Sequence, residues 1–427
     1  MTILRRYWLL LPYLAIVSFP SVYTLVATSE GWFDWRYNTA QLAGFTGATL
    51  LLLQLVLAAR WQRLDHMLGF DQLTRVHKWA GIIGYCCIGL HALGISWYYL
   101  DFGWNSVLAF ITPGWRWETL GMIAFDIMTV VIVITLLYRR WHIPYHWWKR
   151  IHILMYLSVF AGLIHSVYLG SHLVAGVLRW YWLGLMTLGL IALLYRRVIV
   201  PLLAQTYTVT GHDMIANGVH HFTFSPTNGP KFNYAAGQFA FVQFHADDIS
   251  KEWHPFTISS AEYSDQLTMS IKESGDWTSR LAAVTVGTKA KIEGPYGQFS
   301  YRRLPIDQLN YVFMAGGIGI TPLHAMITEL LHAGSKRQIL LLYAARSEQD
   351  FAFKFEFDQL AASHSNFKVQ YITDRMNQSF LSNALPQAER NHYFICGPKP
   401  MMRSMRRMLR QLGVPTTQVH FEEFALN

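Results

Sequence analysis

Four histidines stand inside apolar runs of this chain in two pairs: His77 and His91, 14 residues apart, and His152 and His165, 13 apart. An imidazole in hydrocarbon is costly, and the usual reason to retain one is function. Neutral imidazole is a good iron ligand, so two histidines on each of two segments imply two bis-histidine haem sites. At about 1.5 Å rise per residue, each pair spans roughly 20 Å along a helix. One ligand of each pair then lies near each side of a hydrocarbon core about 30 Å thick. Two haems at two depths form a path for electrons across a bilayer. A lone histidine in such a run is as readily a hydrogen-bonded packing residue; four at matched levels are not.

The elements that must position these residues are membrane spans. Apolar runs at about 8–28, 41–59, 76–100, 118–137, 151–170 and 179–198 are each long enough to cross. The inner-side ends and loops hold Arg5, Arg6, Arg60, Arg63, Arg75, Lys78, Arg139, Arg140, Lys149, Arg150, Arg196 and Arg197, and the outer ones only Arg36, Arg116 and Arg179. That asymmetry places the N-terminus inside. Spans three and five then run in the same direction, with His77 and His152 at the inner level and His91 and His165 at the outer. A 14-residue step returns to within roughly 40° of the same helix face, whereas a 13-residue step misses by roughly 140°. His152 and His165 therefore need either an irregularity, for which Gly162 is a candidate, or haems approached from different sides.

Composition agrees. The chain is 427 residues long, 52% hydrophobic, with 16 tryptophans and a mean hydropathy of +0.20. Its net charge of +9 sits almost wholly in residues 1–200, where 15 Lys+Arg face 7 Asp+Glu. Residues 201–427 hold 20 against 19, so the basic balance reflects the membrane half and not a nucleic-acid partner. Three cysteines, two of them adjacent at Cys86 and Cys87, form neither a disulfide framework nor a zinc pattern. Arg5 and Arg6 precede an apolar run with no small-residue cleavage site, read as a retained first span. His66, His142, His146 and His172 fall near span ends and read as interfacial, as do Trp32, Trp35, Trp115, Trp147 and Trp148. Asp126 in span four reads as a local polar partner.

After Pro201 the pattern changes. Short alternating runs at Tyr207–Thr210, His221–Ser225, Phe239–Phe244 and Leu267–Ile271 are separated by turn residues and predict a small antiparallel β-barrel. From about 310, apolar strands at Tyr311–Ala315, Ile339–Ala344, Lys368–Ile372 and His392–Ile395 alternate with helical stretches, the pattern of an α/β doubly wound domain. Three domains are expected: residues 1–200, 201–304 and 305–427.

The soluble half carries several motifs. In His254-Pro255-Phe256-Thr257 an aromatic ring followed by a hydroxyl suits stacking on a flavin and bonding its edge. Gly275-Asp276-Trp277-Thr278, with Lys272 just before it, opens a helical segment suited to a pyrophosphate. Gly316-Gly317-Ile318-Gly319-Ile320-Thr321-Pro322 joins a strand to a helix, where glycines let backbone N–H groups approach phosphate. Arg346 follows the next strand and suits a 2′-phosphate, which favours NADPH, with NADH still possible. Cys396-Gly397-Pro398 ends a later strand, where open α/β sheets bind ligands.

Taken together, the histidine spacings, HPFT, GDWT, GPYG (Gly294–Gly297), GGIGITP and CGP resemble, in their order, the ferric reductase and NADPH oxidase superfamily, its bacterial NADPH oxidases in particular. The resemblance covers nearly the whole chain. It implies a six-helix bundle binding two b-type haems, fused to a ferredoxin-NADP reductase-like FAD and NADPH domain pair. His77 and His152 would ligate the inner haem and His91 and His165 the outer. Phe256 would stack on the flavin, Thr257 would contact its edge, His254 would lie toward its phosphates, and Gly275 and Thr278 would hold the pyrophosphate. Gly317, Gly319, Thr321 and Pro322 would face NADPH, Cys396 its nicotinamide, and Phe424 would cover the flavin. NADPH would reduce FAD, and single electrons would pass through both haems to a small acceptor outside. The expected location is a bacterial inner membrane with both termini cytoplasmic. Eukaryotic NADPH oxidases carry an arginine in the outer half of span two and a second histidine one turn beyond the outer ligand. This chain has Gln41 and Gly44 in the first region and Ile95 in the second. The acceptor expected first is O2, giving superoxide; a ferric chelate is the second.

Overall fold

The computed structural model describes residues 3–27, 34–111, 116–170, 176–305 and 307–422. The chain forms two compact units, Met1–Trp61 with Gln72–Ile199, and Gln62–Asp71 with Val200–Asn427.

Its N-terminal helices are α1 Ile3–Ala27, α2 Trp35–Ala58, the short α3 Gln62–Leu68, α4 Phe70–Leu100, α5 Trp104–Ile111, α6 Trp117–Leu137, α7 Tyr145–His152, α8 Leu154–Leu169 and α9 Val177–Leu194. Among the described residues, five stretches are long and apolar enough to cross a bilayer: Trp35–Ala58, Phe70–Leu100, Trp117–Leu137, Tyr145–Leu169 and Val177–Leu203. In α1, where a sixth span is expected, the described apolar stretch is the shorter Leu10–Val26. Leu14, Leu90, Leu93, Leu136, Leu157 and Trp180 all point outward and exposed. An apolar exterior of that extent is the surface a bilayer covers and water does not.

The stretch carrying His152 and His165 departs from regular α-helix at a place the sequence does not mark. It is interrupted at Ile153, directly after His152, where the Ile153 N–H bonds to the Lys149 and Ile151 carbonyls. Helix α8 then runs unbroken through Gly162. The irregularity expected at Gly162 is therefore at Ile153.

The second unit, which already includes α3, resumes at α10 Val200–Leu203 and holds two sheets. The first comprises β1 Gln205–Ala216, β2 Val219–Pro226, β3 Phe239–His245, β4 His254–Thr257, β5 Leu267–Lys272 and β6 Lys289–Tyr296. These run antiparallel in the order β4-β3-β6-β1-β2-β5. A single bridge links Ile258, just past β4, to Met269 on β5. Alternate residues of these strands, among them Tyr207, Val209, Phe222, Phe224, Val242 and Phe244, fill one buried core.

The second sheet comprises β7 Asn310–Gly316, β8 Ile339–Ala344, β9 Phe367–Ile372, β10 Asn391–Cys396 and β11 Val419–Phe421, all parallel, in the order β11-β10-β7-β8-β9. Helices α11 Ile320–His332, α12 Lys354–Ser363, α13 Gln378–Ala384 and α14 Lys399–Gln411 connect it. Leu323 and Ile327 of α11 pack in one core, and Met402, Met405 and Leu409 of α14 in another. Apolar side chains therefore cover both faces, as a parallel sheet requires. The strand order reverses between β7 and β10, which opens a crevice at their carboxyl ends.

Candidate functional site

In the first unit the four histidines meet in pairs across helices. The His77 and His152 rings lie 6.4 Å apart between centroids, and the His91 and His165 rings 6.4 Å apart. His91 Nδ1 donates to the Ala40 carbonyl at 2.9 Å and His165 Nδ1 to the Trp117 carbonyl at 2.7 Å. A carbonyl only accepts, so each Nδ1 carries the proton and each Nε2 keeps its lone pair for a ligand bond. His152 Nδ1 is 3.4 Å from the Thr135 hydroxyl. Glycines make room for the outer rings. A Cβ on Gly44 would lie 2.8 Å from His91 Nδ1, and one on Gly121 2.5 Å from His165 Nδ1.

Two facing imidazoles can ligate one iron from opposite sides. Among the described residues no group of three or more His, Cys, Asp or Glu is arranged to hold a metal ion. A metal between either pair would thus have two protein ligands, with the rest of its coordination supplied by a macrocycle. The donor set fits a haem.

In the second unit, His254-Pro255-Phe256-Thr257 forms edge strand β4, paired to β3. The His254 ring stacks on Trp277 at 4.0 Å, and Phe256 lies 5.9 Å from the same indole. Trp277 is buried, with its Nε1 donating to the Ser250 carbonyl at 3.0 Å. This indole ties the GDWT loop to the HPFT strand. Gly275 and Asp276 precede a 3-10 helix, Thr278–Ala283. The Thr278 hydroxyl accepts from the backbone N–H groups of Ser274 (2.8 Å) and Gly275 (3.0 Å). Lys272 extends to Asp350 at 3.7 Å. From β2, His220 accepts or donates at Nδ1 with His212 (2.8 Å) and contacts Glu273 through Nε2 (2.8 Å), which anchors the start of the loop.

The nucleotide motifs converge on the β7/β10 crevice. Ala315 is the register partner of Cys396. A Cβ on Gly319 would lie 2.4 Å from the Cys396 carbonyl oxygen, and one on Gly316 would meet Met401 Sδ at 2.4 Å and Pro398 Cδ at 2.9 Å. Only glycine lets the two strand ends approach so closely. Gly317 has a φ of +54°, and nothing lies within 4 Å of its Cβ position, leaving its backbone open to a phosphate. Thr321 donates to the Ile318 carbonyl at 3.0 Å, and Pro322 is buried in the first turn of α11. Cys396, Gly397 and Pro398 end β10 and lead into α14, with Cys396 fully buried. Arg346 is exposed after β8. Phe424 lies outside the described residues, as does His172.

Two acidic residues were not singled out by sequence. Asp65 of α3 is 1% exposed; its carboxylate accepts from the Gly297 N–H at 2.8 Å and its carbonyl from Gln298 Nε2 at 2.7 Å. Gln62 Nε2 donates to the Gly294 carbonyl at 2.9 Å, and Phe70 packs edge-on against Phe239. Helix α3 is thereby clasped to the GPYG turn. Glu422, just past β11, is also buried; its carboxyl is held well above the usual range by burial and by the nearby Asp71 and Asp65. A lone Asp after a charged stretch gives no sequence signal of burial.

Two histidines of this unit are pushed down to about 4, chiefly by burial: His221, also facing His324, and His420, also facing His392. A folded value below the ordinary 6.5 means the neutral form stabilises the fold above pH 6.5, and that this is lost as pH falls toward 4. Melting temperature is expected to fall steadily between those values, and His221→Gln to shrink the fall. An unchanged acid limb in that variant would contradict the assignment.

Three family models match the chain: a ferric reductase like transmembrane component over residues 43–163, an FAD-binding domain over 208–300 and an oxidoreductase NAD-binding domain over 313–407. NADH-cytochrome b5 reductase 1 of Cryptococcus neoformans is 25% identical over 244 residues, covering 52% of this chain and 82% of that protein. The stachydrine N-demethylase reductase subunit Stc4 of Rhizobium meliloti is 27% identical over 226 residues, covering 49% of this chain and 63% of that one. Among solved structures, flavohemoglobin from Malassezia yamatoensis matches with a TM-score of 0.52 and 18% identity over 96% of this chain and 99% of that one, a likeness of fold.

Proposed function

Because the chain belongs to the ferric reductase and NADPH oxidase superfamily, we propose that it is a transmembrane oxidoreductase taking electrons from cytoplasmic NADPH to an acceptor across the membrane through FAD and two b-type haems. The observation that carries this reading is the two facing imidazole pairs, in one chain with a flavin and a nucleotide domain. When bound, FAD supplies the exchange between a two-electron hydride donor and the one-electron haems.

The chain's own residues position these groups. His77 and His152 hold the inner haem, His91 and His165 the outer, with the Ala40 and Trp117 carbonyls fixing the outer tautomers. Phe256 and Thr257 face the flavin ring, while His254, Pro255, Lys272, Gly275, Asp276, Trp277 and Thr278 form its phosphate side. Gly316, Gly317, Gly319, Thr321 and Pro322 cradle the NADPH phosphates, with Cys396, Gly397 and Pro398 beside the nicotinamide. The family resemblance alone assigns Phe424 to the flavin. The protein sits in a bacterial inner membrane with both termini cytoplasmic, a topology supported by the lysines and arginines gathered on one side. The β1–β6 sheet acts as a flavin barrel. The acceptor is O2, released as superoxide. Reduction of a ferric chelate is the second reading, favoured by Gln41 and Gly44 standing where oxygen-reducing relatives carry an arginine.

Cytochrome c reduction driven by NADPH, with and without superoxide dismutase, tests the acceptor. Abolition by the dismutase supports O2; an unchanged rate shows direct transfer and leaves the chelate reading. Arg346 tests the donor. Arg346→Ala is expected to raise KM for NADPH about 10-fold or more, the worth of a charge-assisted phosphate contact, and to leave NADH unaffected. Equal effects on both nucleotides would remove Arg346 from the 2′-phosphate site.

A further inference from the structure

Helix α14 has two unlike faces. Met402, Met405, Met408 and Leu409 are buried in the core beneath the parallel sheet. Arg403, Arg406, Arg407 and Arg410 are all exposed on the other face, and no acidic residue occurs between Lys399 and Gln411. At spacings of three and four residues these arginines are neighbours of like charge, an arrangement that costs a helix roughly 0.2–0.5 kcal/mol per pair. Among the described residues none of the four forms an ion pair, whereas Lys272, Arg302, Arg337 and Lys354 of the same unit each meet a carboxylate.

The four arginines also share one surface feature. With Val414, Thr416, Val419 and Phe421 they line an open concavity of about 300 Å³ between α14 and β11. The Arg406 guanidinium lies 3.9 Å over the Phe421 ring, which braces one wall. We propose that this cradle binds a soluble anion carrying two or three linked phosphates, at a site separate from the dinucleotide crevice. Planar guanidinium forks take phosphate oxygens two at a time, and four of them call for several negative charges on one compact ligand. The volume of about 300 Å³ lies at the lower end of small-ligand sites. Insertion of α14 into a bilayer is opposed by its apolar face, which is already spent on the core.

The test is titration calorimetry of inorganic tripolyphosphate into the full-length protein in phosphatidylcholine nanodiscs, with NADP+ saturating. One site is expected, with affinity falling about tenfold or more in Arg407→Gln/Arg410→Gln and unchanged in Arg346→Gln. Absence of binding, displacement by NADP+, or equal affinity in the double variant would overturn the proposal. Binding that disappears in phosphatidylglycerol nanodiscs would place a lipid phosphate in the cradle and overturn the soluble-anion assignment.

Discussion

Replacing His165 with Leu is expected to remove one of two haems per chain and to cut NADPH-driven reduction of an external acceptor about 100-fold or more, a barrier increase of roughly 2.7 kcal/mol. The residue faces His91 at 6.4 Å, and its proton is committed to the Trp117 carbonyl, so no other orientation of the ring offers the same lone pair. Haem content by pyridine haemochrome separates the two levels. His165→Leu keeps an inner haem that NADPH still reduces; His77→Leu loses the inner haem, and whatever outer haem remains stays oxidised. Gly121→Val is expected to mimic His165→Leu, because its added carbons enter the space of the imidazole. Full haem content in His165→Leu would end the proposal that this residue is a ligand.

The second large effect is expected at Gly319. An alanine there would put Cβ 2.4 Å from the Cys396 carbonyl oxygen, 2.6 Å from its carbon and 2.7 Å from the Gly397 nitrogen. All three are backbone atoms in strand β10 and its end, so the clash is relieved only by moving β7 and β10 apart. Overpacking of this kind costs about 1–3 kcal/mol, and a displacement near 1 Å at a reacting pair costs about 100-fold in rate. Gly319→Ala should slow FAD reduction by NADPH by that factor while FAD and haem content stay normal. Stopped-flow absorbance in the flavin band reads this directly. A wild-type rate would mean that the two strand ends do not set the nucleotide's position.

Legibility followed the strength of the local pattern. The strand Ile339–Ala344 was found to the residue because it is an unbroken apolar run. Strand β6, Lys289–Tyr296, carries two lysines, a glutamate and a Gly-Pro step, and its hydrophobicity gives little sign of a strand. Strand β11 has only three residues. The histidine pairing was legible because charge asymmetry fixes depth, and depth matches partners. The break at Ile153 was not, since neither Gly nor Pro stands there. Asp65 was invisible because its burial depends on an amide 232 residues away.

That separation has a consequence for biosynthesis. The second unit is discontinuous, and its first piece, Gln62–Asp71, leaves the ribosome long before Gly297 exists to receive it. At about 5–20 residues per second, the interval is roughly 10–50 seconds. Throughout it the Asp65 carboxylate remains hydrated, and the Phe70 ring lacks Phe239. The GPYG turn must then capture a segment already tethered at both ends to membrane helices. Late closure of this clasp makes it a natural checkpoint for assembly, since a chain that fails there leaves the apolar Phe70 ring and the GPYG backbone open to quality-control proteases.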